Sequence, residues 1–192
     1  TRFMHRLVTS AGPRAYVLSP IGALIDSSES SIRTAYEQNY CLRPGASPIN
    51  DLDRLIEMLL HDEFTYLMSV KSARLMGDNS ARFLPTRLDK LVKMWQRIFP
   101  GNQIMREPGK LMFSTECGKD LVGSIKLSSG ERTVLYYIAA LLYAPQEAIV
   151  FVDEPTMFLH PSLMQPLWNT VEGMRPDCTF VYNTSDAEFL SS

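Results

Sequence analysis

One stretch constrains this chain more than any other: Ile149-Val150-Phe151-Val152, followed at once by Asp153-Glu154-Pro155. Four consecutive apolar, mostly β-branched or aromatic residues suit a strand covered on both faces, as in a parallel sheet. A strand alone cannot be covered that way. The flanking pattern supplies the layers: a helix over 130–143, the strand over 148–152, a helix over 161–175 and a strand over 179–182. Alternating strand and helix predicts an α/β fold built on a parallel sheet. Near the N-terminus, Phe3, Met4, Leu7 and Val8 have helical spacing, and Ala15-Tyr16-Val17-Leu18 reads as a further short buried strand.

The middle of the chain reads differently. Residues 26–50 are rich in Ser, Asn, Pro and Gly and predict loop with a little helix. From Asp51 the spacing is helical, with Leu52, Leu55, Ile56, Leu59, Leu60, Phe64, Leu67 and Met68 on one face. A second helix is predicted from about Thr86 to Phe99, its stripe formed by Leu88, Leu91, Val92, Trp95 and Phe99. Gln103–Arg106 and Leu111–Ser114 flank Glu107-Pro108-Gly109-Lys110, which predicts a hairpin. The expected organisation is the start of a core over 1–25, a helical arm with a small hairpin over 26–126, and the rest of the core over 127–192.

Composition closes off several classes. The chain has 192 residues, 45% of them hydrophobic and 21% charged, which suits one packed α/β unit rather than a disordered segment. A net charge of −2 gives no global basic field for nucleic acid, although a local patch is not excluded by it. No apolar run approaches the roughly 20 residues that span a bilayer. Cys41, Cys117 and Cys178 are odd in number and far apart. They suggest neither a disulfide framework nor a zinc site, and so a reducing, cytoplasmic setting. The chain begins Thr1-Arg2-Phe3-Met4 without an initiator Met or a secretory pattern, and reads as a piece of a longer protein.

Two segments carry chemistry. In Leu127-Ser128-Ser129-Gly130-Glu131, Ser128 and Glu131 have capping-box spacing at a helix start. Gly130 leaves the backbone bare, so an anion can approach the helix N-terminus. The plain alternative is a cap and nothing more. Asp153 and Glu154 place two carboxylates at the C-terminal end of a buried strand, where α/β sheets bind ligands. Asp153 suits Mg²⁺, directly or through water, and Glu154 suits orienting or deprotonating a water. Here the alternative is an acidic strand end before a proline turn.

Together these segments resemble the ABC ATPase superfamily. Leu127–Glu131 is similar to its signature motif, residues 149–154 to its Walker B strand, and Pro155-Thr156-Met157-Phe158-Leu159-His160-Pro161 to its D-loop. The Leu-His-Pro form looks like the soluble branch, which includes structural-maintenance-of-chromosomes proteins, DNA-repair ATPases and the overcoming-lysogenisation-defect family of anti-phage systems. The resemblance covers residues 88–190. It implies a P-loop NTPase-like sheet with a helical signature arm, and ATP with Mg²⁺ as ligands. It also implies a homodimer closed through the signature face and an attached effector or nucleic acid. Ser128, Ser129, Gly130 and Glu131 would face the partner's nucleotide, Asp153 would hold the metal, and Glu154 would be catalytic.

The departures are specific. No Gly-x-x-x-x-Gly-Lys-[Ser/Thr] occurs. Thr1 fits the last residue of such a loop, because a helix and a strand follow it. Ser185, in Val181-Tyr182-Asn183-Thr184-Ser185-Asp186, stands where the family usually has a switch histidine. Serine hydrogen-bonds phosphate or water but carries no imidazole charge. Gln38 is a poor match for the family's Q-loop glutamine. The missing histidine favours a rival of a different class, a non-hydrolysing nucleotide-dependent dimerisation or interaction module, and the intact Asp153-Glu154 pair opposes it. A transporter motor fits less well. His160 reads as a loop residue, or as one facing a neighbouring nucleotide site. Trp95 and Trp168 read as core, and Arg87, Lys90, Lys93 and Arg97 as a solvated basic face or a phosphate-binding one.

Overall fold

The computed structural model describes residues 15–18, 51–78, 80, 82–114 and 121–191. The expected helix over 1–9, the loop over 26–50, and Thr1, Gln38, Cys41 and Cys117 lie outside the described residues. The chain is an α/β protein. In order it runs β1 (Ala15–Leu18), α1 (Asp51–Leu75), α2 (Arg87–Ile98), β2 (Ile104–Glu107), β3 (Lys110–Ser114) and β4 (Leu121–Gly123). A 3₁₀ turn (Ser124–Lys126) then leads into α3 (Ser129–Tyr143), β5 (Ile149–Asp153), α4 (Pro161–Met174), β6 (Thr179–Asn183) and α5 (Ala187–Leu190).

The apolar run at 149–152 does form the middle of a sheet. The order is β1-β5-β6, and both pairings are parallel, with Val17 opposite Phe151 and Phe151 opposite Val181. Val150 and Val152 are fully buried and Phe151 nearly so. The β5–α4–β6 stretch is a βαβ unit, the crossover that a parallel pair requires. The predicted hairpin is present as the antiparallel pair β2–β3, turning at Pro108-Gly109, and β4 extends it on the other side of β3.

α3 is the hub of the core. Thr133 through Leu141 are all buried, the mark of an apolar helix enclosed on every side. α1 contributes Leu52, Leu55, Ile56 and Leu59, α2 contributes Leu88, Leu91, Met94, Trp95 and Ile98, and α4 contributes Leu167, Trp168 and Val171 to the same cluster. Each start is set locally: Thr86 and Asp89 form a capping box for α2, and His160 with Pro161 opens α4.

The α1 stripe divides in two. Its first turns are buried, but Phe64, Leu67 and Met68 are 63%, 43% and 44% exposed. The reason is reach: at Asp62 and Glu63 the helix is tied to its neighbours by polar pairs, and its second half runs on past them. Arg87 Nη1 donates to Asp62 Oδ2 at 2.9 Å, and the Tyr143 hydroxyl donates to the same oxygen at 3.0 Å. Arg106 bridges Glu63 at 3.2 Å and Asp89 at 2.6 Å. The basic face expected on α2 is thus partly committed at Arg87, while Lys90, Lys93 and Arg97 are exposed.

Candidate active site

The start of α3 has the geometry that its residue spacing predicts. Ser128 is extended (φ −60°, ψ 160°). Its Oγ accepts from the Glu131 N–H at 3.2 Å, and Glu131 Oε2 accepts from the Ser128 N–H at 2.9 Å and from its hydroxyl at 2.7 Å. Two otherwise orphaned helix donors are satisfied reciprocally. The other carboxylate oxygen, Oε1, accepts from Asn102 Nδ2 at 3.3 Å. Asn102 is 6% exposed, and no pattern in the sequence singles it out. Its side chain is recruited by tertiary packing alone. Ser129 is exposed.

Gly130 has a second reason to be glycine. A Cβ there would lie 3.1 Å from the Phe158 carbonyl oxygen, so the turn after β5 rests directly on the backbone of α3. Around this contact is a cavity of about 540 Å³ whose lining includes Ser128, Gly130, Glu131, Asn102, Phe158 and His160. His160 caps α4: Nδ1 lies 3.3 Å from the Ser162 N–H and 2.8 Å from its hydroxyl. That fits the loop-role reading, and His160 also shares the cavity lining with Ser128 and Gly130.

At the end of β5 a second group assembles. Asp153 lies opposite Asn183 in the parallel register, and Asn183 Nδ2 donates to Asp153 Oδ1 at 2.7 Å. The Glu154 N–H donates to the Asn183 carbonyl at 2.8 Å. Glu154 has φ +49°, an unusual conformation for a residue with a side chain, and it turns the chain out of the sheet. Ser185 Oγ donates to Glu154 Oε1 at 3.3 Å. No cluster of three His, Cys, Asp or Glu side chains forms among the described residues. Asp153 alone still suits Mg²⁺, which is commonly held by one or two carboxylates, water and phosphate oxygens.

The turn from Glu154 to His160 joins the two groups. It closes through Met157 N–H to the Glu154 carbonyl (3.0 Å) and Leu159 N–H to the Thr156 carbonyl (3.1 Å). Phe158 takes φ +65°, and Met157 and Phe158 are 38% and 44% exposed. Tyr137 of α3 is fully buried. Burial, and then the charge of Asp153, push its phenol well above the ordinary value. Its ring lies 5.0 Å from Trp168, which meets Tyr182 edge-on at 5.0 Å. Trp95 and Trp168 are therefore core, as their stripes predict.

Residues 119–189 match a family model described as "AAA domain, putative AbiEii toxin, Type IV TA system". The matched span takes in the α3 cap, β5, the turn and β6. The match supports a nucleotide-binding, ATPase-like domain of P-loop NTPase type. No curated protein matches the chain.

Proposed function

We propose that this chain is the signature and Walker B portion of an ABC-type ATPase that closes on ATP as a homodimer. The observation that carries the reading is the strand end itself: adjacent Asp153 and Glu154 on the central parallel strand, with separate partners in Asn183 and Ser185. Adjacent carboxylates with different neighbours can divide two tasks. Asp153 would hold Mg²⁺, which supplies charge neutralisation for the phosphates. Glu154 would orient the attacking water and take its proton. In the partner subunit, Ser128 and Gly130 would meet the γ-phosphate with the exposed hydroxyl and helix N-terminus that α3 presents. Ser129 and Glu131 complete that face, Glu131 by holding Ser128. The turn over Phe158 supports this reading, because it ties each signature helix to its own Walker B strand.

The reading requires a phosphate loop, which the 192 residues do not contain as a motif; Thr1 is its proposed last residue. ATP binding would join two copies and hydrolysis would part them, moving an effector or bound nucleic acid in a cytoplasmic setting. The family description adds toxin–antitoxin systems to DNA repair and anti-phage defence as settings for such a motor. Calorimetric titration tests the reading. ATP·Mg²⁺ should bind the protein carrying the phosphate loop and not residues 1–192 alone. Micromolar binding by residues 1–192 alone would overturn the division of the site.

A second reading, a nucleotide-dependent dimerisation module that does not hydrolyse, is favoured by Ser185 in the place of the histidine. It predicts ATP binding and dimer formation with no phosphate release.

A further inference from the structure

Glu131 is an acid in the cavity at the start of α3, and its two oxygens are held from different sides. Oε2 takes the Ser128 N–H at 2.9 Å and the Ser128 hydroxyl at 2.7 Å. Oε1 takes Asn102 Nδ2 at 3.3 Å. The first pair is local to the helix start; the second comes from the turn between α2 and β2. That turn is pinned on both sides. The Asn102 N–H donates to the Phe99 carbonyl at 3.0 Å, the Gln103 N–H donates to Ser114 Oγ at 2.7 Å, and the Ser114 N–H donates back to the Gln103 carbonyl at 2.8 Å. Asn102 is buried, and it shares the cavity lining with Phe99 and Leu163. An amide buried beside apolar side chains is costly unless it is bonded. The Glu131 carboxylate therefore accounts for an asparagine at this position.

We propose that Asn102 is a positioning residue for the signature face: by holding Glu131 Oε1, it keeps that carboxylate turned onto Ser128 and out of the path of the partner's phosphate. The inference deepens the proposed function and rests on it. Ser128 and Gly130 would offer the phosphate a helix N-terminus, and Glu131 carries a negative charge in the same cavity. Released from Asn102, the Glu131 side chain gains rotamers that turn toward the incoming phosphate. There it would repel a like charge and leave the Ser128 cap undone. A buried amide on a pinned turn fixes the carboxylate in advance, as a supporting residue behind a binding face must.

The test uses the protein carrying the phosphate loop with Glu154→Gln, a background in which bound ATP should persist. Light scattering reads the ATP concentration that gives half-maximal dimer. Asn102→Ala should raise it about tenfold, the loss of one hydrogen bond to a charged group. Asn102→Asp sets a second carboxylate against Glu131 and should raise it at least as far. Adding Glu131→Gln to Asn102→Asp exchanges amide and carboxylate and restores a donor to an acceptor. That exchange should return the requirement to within about threefold of the parent, which a role in packing alone would not do. Thermal midpoints without nucleotide accompany these measurements: Asn102→Asp should lower the midpoint, and the exchange should recover most of the loss. An Asn102→Ala requirement equal to the parent's, or an exchange that recovers neither reading, would overturn the proposal. If the Glu154→Gln parent forms no ATP-dependent dimer, the proposed function fails instead. Recovery of the midpoint by the exchange then supports the hold of Asn102 on Glu131, and no recovery overturns it.

Discussion

Ser185 Oγ donates a hydrogen bond to Glu154 Oε1 across 3.3 Å. Ser185, proposed to stand where ABC ATPases usually carry a switch histidine, therefore touches the carboxylate proposed to handle the attacking water. Serine can fix the direction of that carboxylate but cannot carry a positive charge toward a phosphate. On the proposed function, Ser185→Ala should lower turnover roughly threefold to tenfold, the loss of one hydrogen bond of about 1 kcal/mol, with ATP affinity unchanged. Ser185→His should leave turnover unchanged or raise it. Single-turnover and steady-state hydrolysis of the three proteins check this. A fall in the His variant would show that another residue already senses the γ-phosphate.

The turn over Gly130 makes a prediction about stability. Phe158 holds φ +65°, which costs a residue with a Cβ about 1 kcal/mol. Phe158→Gly relieves that strain, and Phe158→Ala keeps it. The Gly variant should therefore unfold at higher denaturant than the Ala variant, by about 1 kcal/mol. Equal midpoints would mean that the turn relaxes out of the left-handed region without cost.

Arg175 closes the other end of α3. Its Nη1 donates to the Leu141 and Ala144 carbonyls, both at 2.8 Å, and Nη2 donates to the Pro145 carbonyl. Leu141 lies in the last turn, whose carbonyls a helix end leaves without partners, and Ala144 and Pro145 follow that turn; a planar fork suits reaching several of them together. Arg175→Lys should destabilise the fold by about 2 kcal/mol through the lost carbonyl bonds. Chemical denaturation measures it, and a neutral result would contradict the clamp.

Two carboxylates contribute to stability against acid. The Arg175 hydrogen bond, opposed by burial and assisted by the Glu147 N–H, holds Asp177 well below its ordinary value. At Asp89, burial acts upward, but the Thr86 N–H and Arg106 outweigh it and leave the group lowered. Both folded values lie below the unfolded one, near 3.9. Their stabilisation is complete above that pH and is lost as pH falls through the folded values. Thermal midpoints should be level from about pH 7 to 5 and drop below about pH 4, less steeply for Asp177→Asn. A midpoint that rises on acidification would contradict these assignments.

Much of the fold was legible because the signals were local. The apolar run at 149–152 read as a doubly covered strand, and the spacing of Ser128 and Glu131 read as a cap for the helix that follows. The hairpin followed from Pro108-Gly109. What was not legible depends on distance in space. Phe64, Leu67 and Met68 share the spacing of Leu52 and Leu55, and nothing in that spacing says where the supporting helices end. Asn102 reaches Glu131 from 29 positions away, and Asn183 meets Asp153 only because β6 pairs in register. The short β4 and α5 lack a period long enough to read.

On the proposed function, Asp153-Glu154 of one copy and Ser128-Gly130 of another act on one nucleotide. Glu154→Gln keeps the shape and hydrogen bonds of the side chain and removes its charge and basicity. Loss of a general base typically costs about 10²–10⁴ in rate, while Asp153 is left to hold the metal, so ATP should accumulate uncleaved between two copies. Ser128→Arg should undo this by placing a bulky cation on the exposed face of the α3 cap. The decisive measurement is molecular mass by light scattering of the protein with its phosphate loop, with a hydrolysis assay beside it. Glu154→Gln should double in mass only with ATP·Mg²⁺, and the Glu154→Gln, Ser128→Arg double variant should remain at its nucleotide-free mass. No ATP-dependent change in Glu154→Gln, or a trapped dimer that survives Ser128→Arg, would contradict the account.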